Sequence, residues 1–128
     1  MQPEATEWVE IAEADFRTAT REAAAIEAPN FSAVCFHAQQ SAEKYLKALL
    51  VEHDIYFPKT HHLPMLAGLL QRAKIDIEGI SAELPRLTPY GIDVRYPGGR
   101  PDAEEAKQAL SDCTAARSLL RGLLGLPL

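Results

Sequence analysis

Residues 86–100 hold Arg86, Arg95 and Arg100 against a single acid, Asp93, with Tyr90 and Tyr96 interleaved. A guanidinium offers phosphate a planar fork, and a phenol ring offers a base a face to stack on. This stretch therefore has the chemistry to hold a nucleotide or an RNA end. The same arginines can instead tie a Pro/Gly loop to its neighbours through carbonyls and acidic helix ends. A second cluster, His37, Ser41 and Lys44, has helical spacing. It forms either a polar edge that meets an anion or a partner, or a helix border with a snorkelling lysine and a hydrogen-bonded histidine. A third, Lys59-Thr60-His61-His62, precedes an apolar helical pattern. There a lysine charge and free backbone N–H groups at a helix start would make an anion site, or Thr60 serves simply as an N-cap.

All four histidines fall between positions 37 and 62. His61 and His62 would project about 100° apart on a helix, and no HExxH or His/carboxylate spacing accompanies them, so no metal is expected. Cys35 and Cys113 lack ligand spacing as well. There is no Gly-rich phosphate loop, GxSxG elbow or DxDxG calcium loop, and Ser41 and Ser81 have no neighbouring histidine pattern. Hydrolase and kinase readings have no support from these motifs, and no cofactor is expected.

Helices must position these groups. Over 4–28, Trp8, Ala12, Phe16, Ala19, Ala23 and Ile26 recur at steps of four and three, which predicts one Ala/Glu-rich helix with an apolar stripe and a solvated carboxylate face. Pro29-Asn30 ends it and caps a second helix over about 31–53, whose inner face holds Phe31, Val34, Cys35, Ala38, Ala42, Tyr45, Leu46 and Leu49. A loop with Pro58 leads to a shorter helix carrying Leu63, Leu66, Leu70 and Ala73, with Pro64 tolerable only in its first turn. Ile77, Ile80, Leu84 and Leu87 predict a fourth helix that Pro85 and Pro89 keep short or kinked. Asp102 followed by Glu105 opens a last helix with Ala106, Leu110, Cys113, Ala116, Leu120 and Leu124 facing in. No segment alternates as a strand would. The expected fold is an all-α antiparallel bundle of four main helices plus a short or kinked extra one, forming a single domain over 1–128.

A chain of 128 residues with 47% hydrophobic and 24% charged residues can close such a core without metals or disulfides. A single possible cysteine pair fits a reducing compartment. No stretch nears the roughly 20 apolar residues of a membrane span, and Met1-Gln2-Pro3-Glu4 lacks the features of a signal peptide, so a cytoplasmic location is expected. The net charge of −5 resides in residues 1–28, where Glu4, Glu7, Glu10, Glu13, Asp15, Glu22 and Glu27 face only Arg17 and Arg21. That balance opposes nonspecific nucleic-acid binding and leaves room for a local basic site elsewhere.

The run Cys35-Phe-His-Ala-Gln-Gln-Ser-Ala-Glu-Lys-Tyr-Leu-Lys-Ala-Leu-Leu50, then Phe57-Pro-Lys-Thr-His61 and Arg95-Tyr-Pro97, resembles the HEPN domain of prokaryotes. Trp8, Ala12 and Asp15-Phe16 in the first helix and the acidic start of the last extend the resemblance over nearly the whole chain. It implies a helical bundle, commonly homodimeric, that binds nucleotide or RNA. It also implies a small nucleotidyltransferase-fold partner, often in a toxin–antitoxin pair. Family ribonucleases pair an arginine with a histidine four to six residues later. After Arg95 those positions hold Gly99, Arg100 and Pro101, and no histidine follows His62. Histidine suits proton transfer near neutrality, so its absence there argues against catalysis. The expectation is a noncatalytic nucleotide- or RNA-binding module. Arg95 and Tyr96 are its main contacts, and Tyr90, Lys44, His37, Lys59 and His61 are candidate helpers. The rivals are a metal-independent ribonuclease toxin using Arg95 with a displaced histidine, His37 or His61, and a protein-interaction adaptor using the acidic first helix.

Overall fold

The computed structural model describes residues 1–92 and 97–128. Five α-helices follow in order: α1 (Pro3–Ala23), α2 (Phe31–Glu52), α3 (Leu63–Arg72), α4 (Glu83–Leu87) and α5 (Ala103–Leu123). Two 3-10 turns, Glu78–Ile80 and Thr88–Gly91, flank α4. Pro85 and Pro89 withhold the N–H groups a longer helix would need, so the extra helix is short, as its prolines require.

Helix starts follow their caps. The Asn30 side chain accepts from the Ala33 N–H and opens α2. Asp102 and Glu105 make a reciprocal capping box that opens α5. At α3 the capping side chain is His62, which accepts from the Met65 N–H, while Thr60 Oγ1 accepts from the N–H of His62. Thr60 is thus a turn residue two positions earlier and not the N-cap. Pro64 lies in the first turn of α3.

The first helix stops at Ala23, five residues short of the predicted Ala28, and Ile26 is 97% exposed instead of facing in. The residue before a proline is pushed out of the helical region, and Ala28, before Pro29, adopts φ of +43°. The chain must also reverse for α2. The Asn30 N–H reaches back to the Glu22 carboxylate.

α2 is the central element. It packs against α1, α3, α4, α5 and the Thr88–Gly91 turn. Gln2 at the head of α1 bonds Glu52 at the foot of α2, so the two helices are antiparallel. α5 runs back along α1 and parallel to α2. Tyr45, Leu46, Leu49, Leu66, Leu70, Leu84, Leu87 and Leu120 are fully buried among small residues of α1 and α5. Burying each such side chain contributes about 1.5–3 kcal/mol, which is what holds the helices together.

The acidic helix is not simply solvated on its outer face. Glu13 takes a two-pronged bond from Arg117, with Nε at 2.7 Å and Nη2 at 2.8 Å, and accepts from the Tyr45 hydroxyl. Arg121 Nη1 donates to the Tyr45 hydroxyl at 2.9 Å, and Arg117 stacks over Phe16. Arg117 holds the Glu13 carboxyl below the ordinary carboxylate range, although partial burial opposes this. Burial, aided by Glu13, pushes the Tyr45 hydroxyl up to about 12. This network locks α1, α2 and α5 together.

Candidate functional site

Along one side of α2 runs a continuous row of polar side chains, most of them buried. Asp15 of α1 accepts from His37 Nδ1 at 2.7 Å and from Lys44 Nζ at 3.1 Å. Lys44 also bonds Gln40 Oε1 at 2.7 Å, and Gln40 Nε2 bonds Gln39 Oε1 at 2.8 Å. Gln39 Nε2 then reaches the His61 carbonyl at 3.0 Å and Glu43 Oε1 at 3.3 Å. Glu43 closes the row. Its Oε1 lies 2.8 Å from His61 Nδ1 and its Oε2 takes a 2.9 Å bond from Lys47. Lys47 Nζ also sits 5.5 Å from the Trp8 ring centroid and 5.9 Å from that of Phe57.

The Glu43 side chain is 2% exposed, whereas that of His61 is 62% exposed. A carboxylate accepts, so His61 Nδ1 is the donor of this bond and Nε2 lies across the ring from it. Gly91, at the end of the Thr88–Gly91 turn, packs directly on Gln39 and His61. A Cβ on Gly91 would lie 2.8 Å from Gln39 Nε2 and 3.1 Å from His61 Cβ. Only glycine permits that approach. The start of the arginine- and tyrosine-bearing stretch is therefore fixed beside His61. Lys59 and His62, next to it in the chain, are exposed.

The remaining predicted site residues are placed as follows. Arg95 and Tyr96 lie outside the described residues. Lys44 and His37 are both committed to Asp15. Ser41, on the same border, is buried against the Cys113 thiol. Tyr90 is half-buried against the core, and desolvation first, then Cys35, Glu105 and Asp102, pushes its hydroxyl up to about 12. Arg86 makes a two-pronged bond to Asp112 of α5, at 3.0 and 2.9 Å, and so ties α4 to the bundle. Arg100 is exposed beside the loop that enters α2. Burial pushes both cysteine thiols up to about 12, which excludes a reactive thiolate at neutral pH. Among the described residues no three His, Cys, Asp or Glu side chains converge as metal ligands would, and no helix is long and apolar enough to cross a membrane.

Sequence reasoning passed over Gln39, Gln40, Glu43 and Lys47. Their spacing of three and four along α2 was the available signal, since it draws a second stripe beside the apolar one.

Comparison with known proteins agrees with this architecture. The crystal structure of TT1696 from Thermus thermophilus superposes with a TM-score of 0.79 at 24% identity, covering 94% of this chain and 98% of that one. This establishes the likeness of fold. No curated protein matches the chain. The family model for the HEPN domain matches residues 5–123, from the first turn of α1 to the end of α5, and the chain belongs to the HEPN family.

Proposed function

We propose that this HEPN chain binds RNA or a nucleotide at the face around His61, as a homodimer in a reducing cytoplasm. We further propose that it works with a nucleotidyltransferase-fold partner in a toxin–antitoxin-like pair. The observation that carries the binding reading is the contact of Gly91 with Gln39 and His61. It joins two stretches that are basic in sequence, 59–62 and 86–100, at one place. The acids nearest in the polar row, Glu43 and Asp15, are both bonded to cations, so they do not repel a phosphate as free carboxylates would. The adaptor reading loses ground on the same geometry. Glu13, one of its contact residues, is turned inward onto Arg117.

Lys59 and Arg95 are the charges this reading depends on. Fluorescence anisotropy with a labelled single-stranded RNA should show saturable binding by the wild type, with Lys59→Glu and Arg95→Ala each weakening it by about 3–10-fold, as loss of a phosphate contact does. Wild-type protein that leaves the anisotropy of RNA and of labelled nucleotides unchanged would overturn the reading. A ribonuclease reading is favoured by one specific observation, the exposed imidazole of His61 oriented by a buried carboxylate.

A further inference from the structure

We infer that His61 and His62 form a pH-sensitive switch at the head of α3: proton uptake by His62 undoes the cap of that helix, while His61 keeps its hold on Glu43 through the same change. The two rings are neighbours in the chain and use the same atom in opposite ways. His62 Nδ1 accepts from the Met65 N–H at 3.2 Å, which requires an unprotonated nitrogen. His61 Nδ1 donates to Glu43 Oε1 at 2.8 Å, and an imidazolium donates as a neutral ring does.

Both rings are open to solvent, so a proton reaches either one without unfolding. Histidine is the side chain that ordinarily changes charge between about pH 5 and 8. At His62 every feature opposes the charged form. Protonation removes the lone pair that caps the helix, and the N–H groups and positive dipole end of α3 repel a cation. No acid lies in the first turn of α3 to offset this, and the charged or titratable neighbours in the chain are Lys59 and His61. The stability that the cap contributes is therefore present at high pH and lost as pH falls through the imidazole range.

His61 responds differently. From α2 it faces Glu43, with Lys47 on the far oxygen of that carboxylate, and the uncharged Gln39. From the Thr88–Gly91 turn it meets Gly91, and the titratable group of that turn, Tyr90, is pushed by burial up to about 12 and stays neutral. Protonation turns the His61–Glu43 hydrogen bond into an ion pair with a buried carboxylate, and the bond from Gln39 to the His61 carbonyl does not depend on ring charge. Acid thus leaves the chain pinned at His61 and releases it one residue later. Leu63 and Leu66 are fully buried, so α3 frays at its first turn and stays on the core. Both rings gain their charge close in the chain to Lys59, which makes the loop more cationic as the turn opens.

The test is NMR of the full chain without any ligand. In the wild type a 15N–15N coupling across the Met65 N–H to His62 Nδ1 bond should be present at about pH 8 and lost by about pH 6, while the 13Cα shifts of residues 63–66 move away from helical values. Hydrogen-exchange protection of the Met65 amide, corrected for the intrinsic rate, should fall by about 3–10-fold over the same range, as loss of a cap does. His62→Asn, whose side-chain oxygen caps at either pH, should hold both the shifts and the protection constant. His61→Gln should leave the change in place, and wild-type His61 should keep a proton on Nδ1 at both pH values. Absence of the coupling at pH 8, no change on acidification, the same change in His62→Asn, or its loss in His61→Gln would overturn the inference.

Discussion

Glu13 takes its hydrogen bonds from Arg117 and Tyr45 inside the three-helix contact, and its carboxyl is held below the ordinary value of 4.5. A carboxyl depressed in this way adds stability above its unfolded pKa and loses it as pH falls through the folded value. Glu13→Gln keeps the shape and removes the charge, so near neutrality it should cost about 2 kcal/mol, leaving Arg117 half-buried and under-paired. The gap should narrow as pH falls below the ordinary carboxyl value of 4.5 and close once the wild-type carboxyl takes up its proton, which Arg117 holds off to lower pH. Thermal melts of both across that range check this. A melting-temperature gap that does not narrow at all below pH 4.5 would show that the carboxylate charge does not account for the loss. Glu43 offers a contrast, because its partner His61 is largely exposed and that contact adds little to stability.

The contact between the Thr88–Gly91 turn and α2 allows no side chain between them. Gly91→Ala would bring a methyl to 2.8 Å from Gln39 Nε2, and Gln39 is fully buried and bonded to Gln40, Glu43 and the His61 carbonyl. It cannot swing aside without breaking that row, so the substitution should cost about 1–3 kcal/mol in denaturant melts. An unchanged midpoint would mean that the turn separates from α2 at little cost. Element by element, the sequence was most readable where a cap or a proline marks a boundary: Asn30, Asp102 and Pro64 stand where their chemistry requires. It was least readable at the end of α1, where alanines and Ile26 continue a helical period that the reversal before Pro29 interrupts. The polar row was hidden for another reason. Gln39, Glu43 and Lys47 look like an outer face when α2 is read alone, and they become buried only because α1 and the 53–62 loop cover that side. Pairing across elements is not periodic in sequence, so neither the Glu43–His61 contact nor the Arg117–Glu13 contact could be read from spacing.

For the molecule as a whole, the net charge of −5 lies in residues 1–28, and three of the seven acids there are held within the protein. Glu13 and Asp15 are bonded within the bundle, and Glu22 is bonded to the backbone of Asn30. Five of the eleven cations after residue 28 are held in ion pairs as well: Arg86 to Asp112, Arg117 and Arg121 to Glu13, Lys44 to Asp15 and Lys47 to Glu43. On the reading proposed above, RNA is held by the small patch around His61, so few condensed counterions are released on binding. Two or three phosphates neutralised on a single strand give a slope of log K against log salt of about −1.4 to −2, at roughly 0.7 for each phosphate. Anisotropy titrations at several salt concentrations measure that slope directly. A slope of about −4 or steeper would require more phosphate contacts than the patch around His61 supplies, and would place RNA on a surface shared between two copies of the chain.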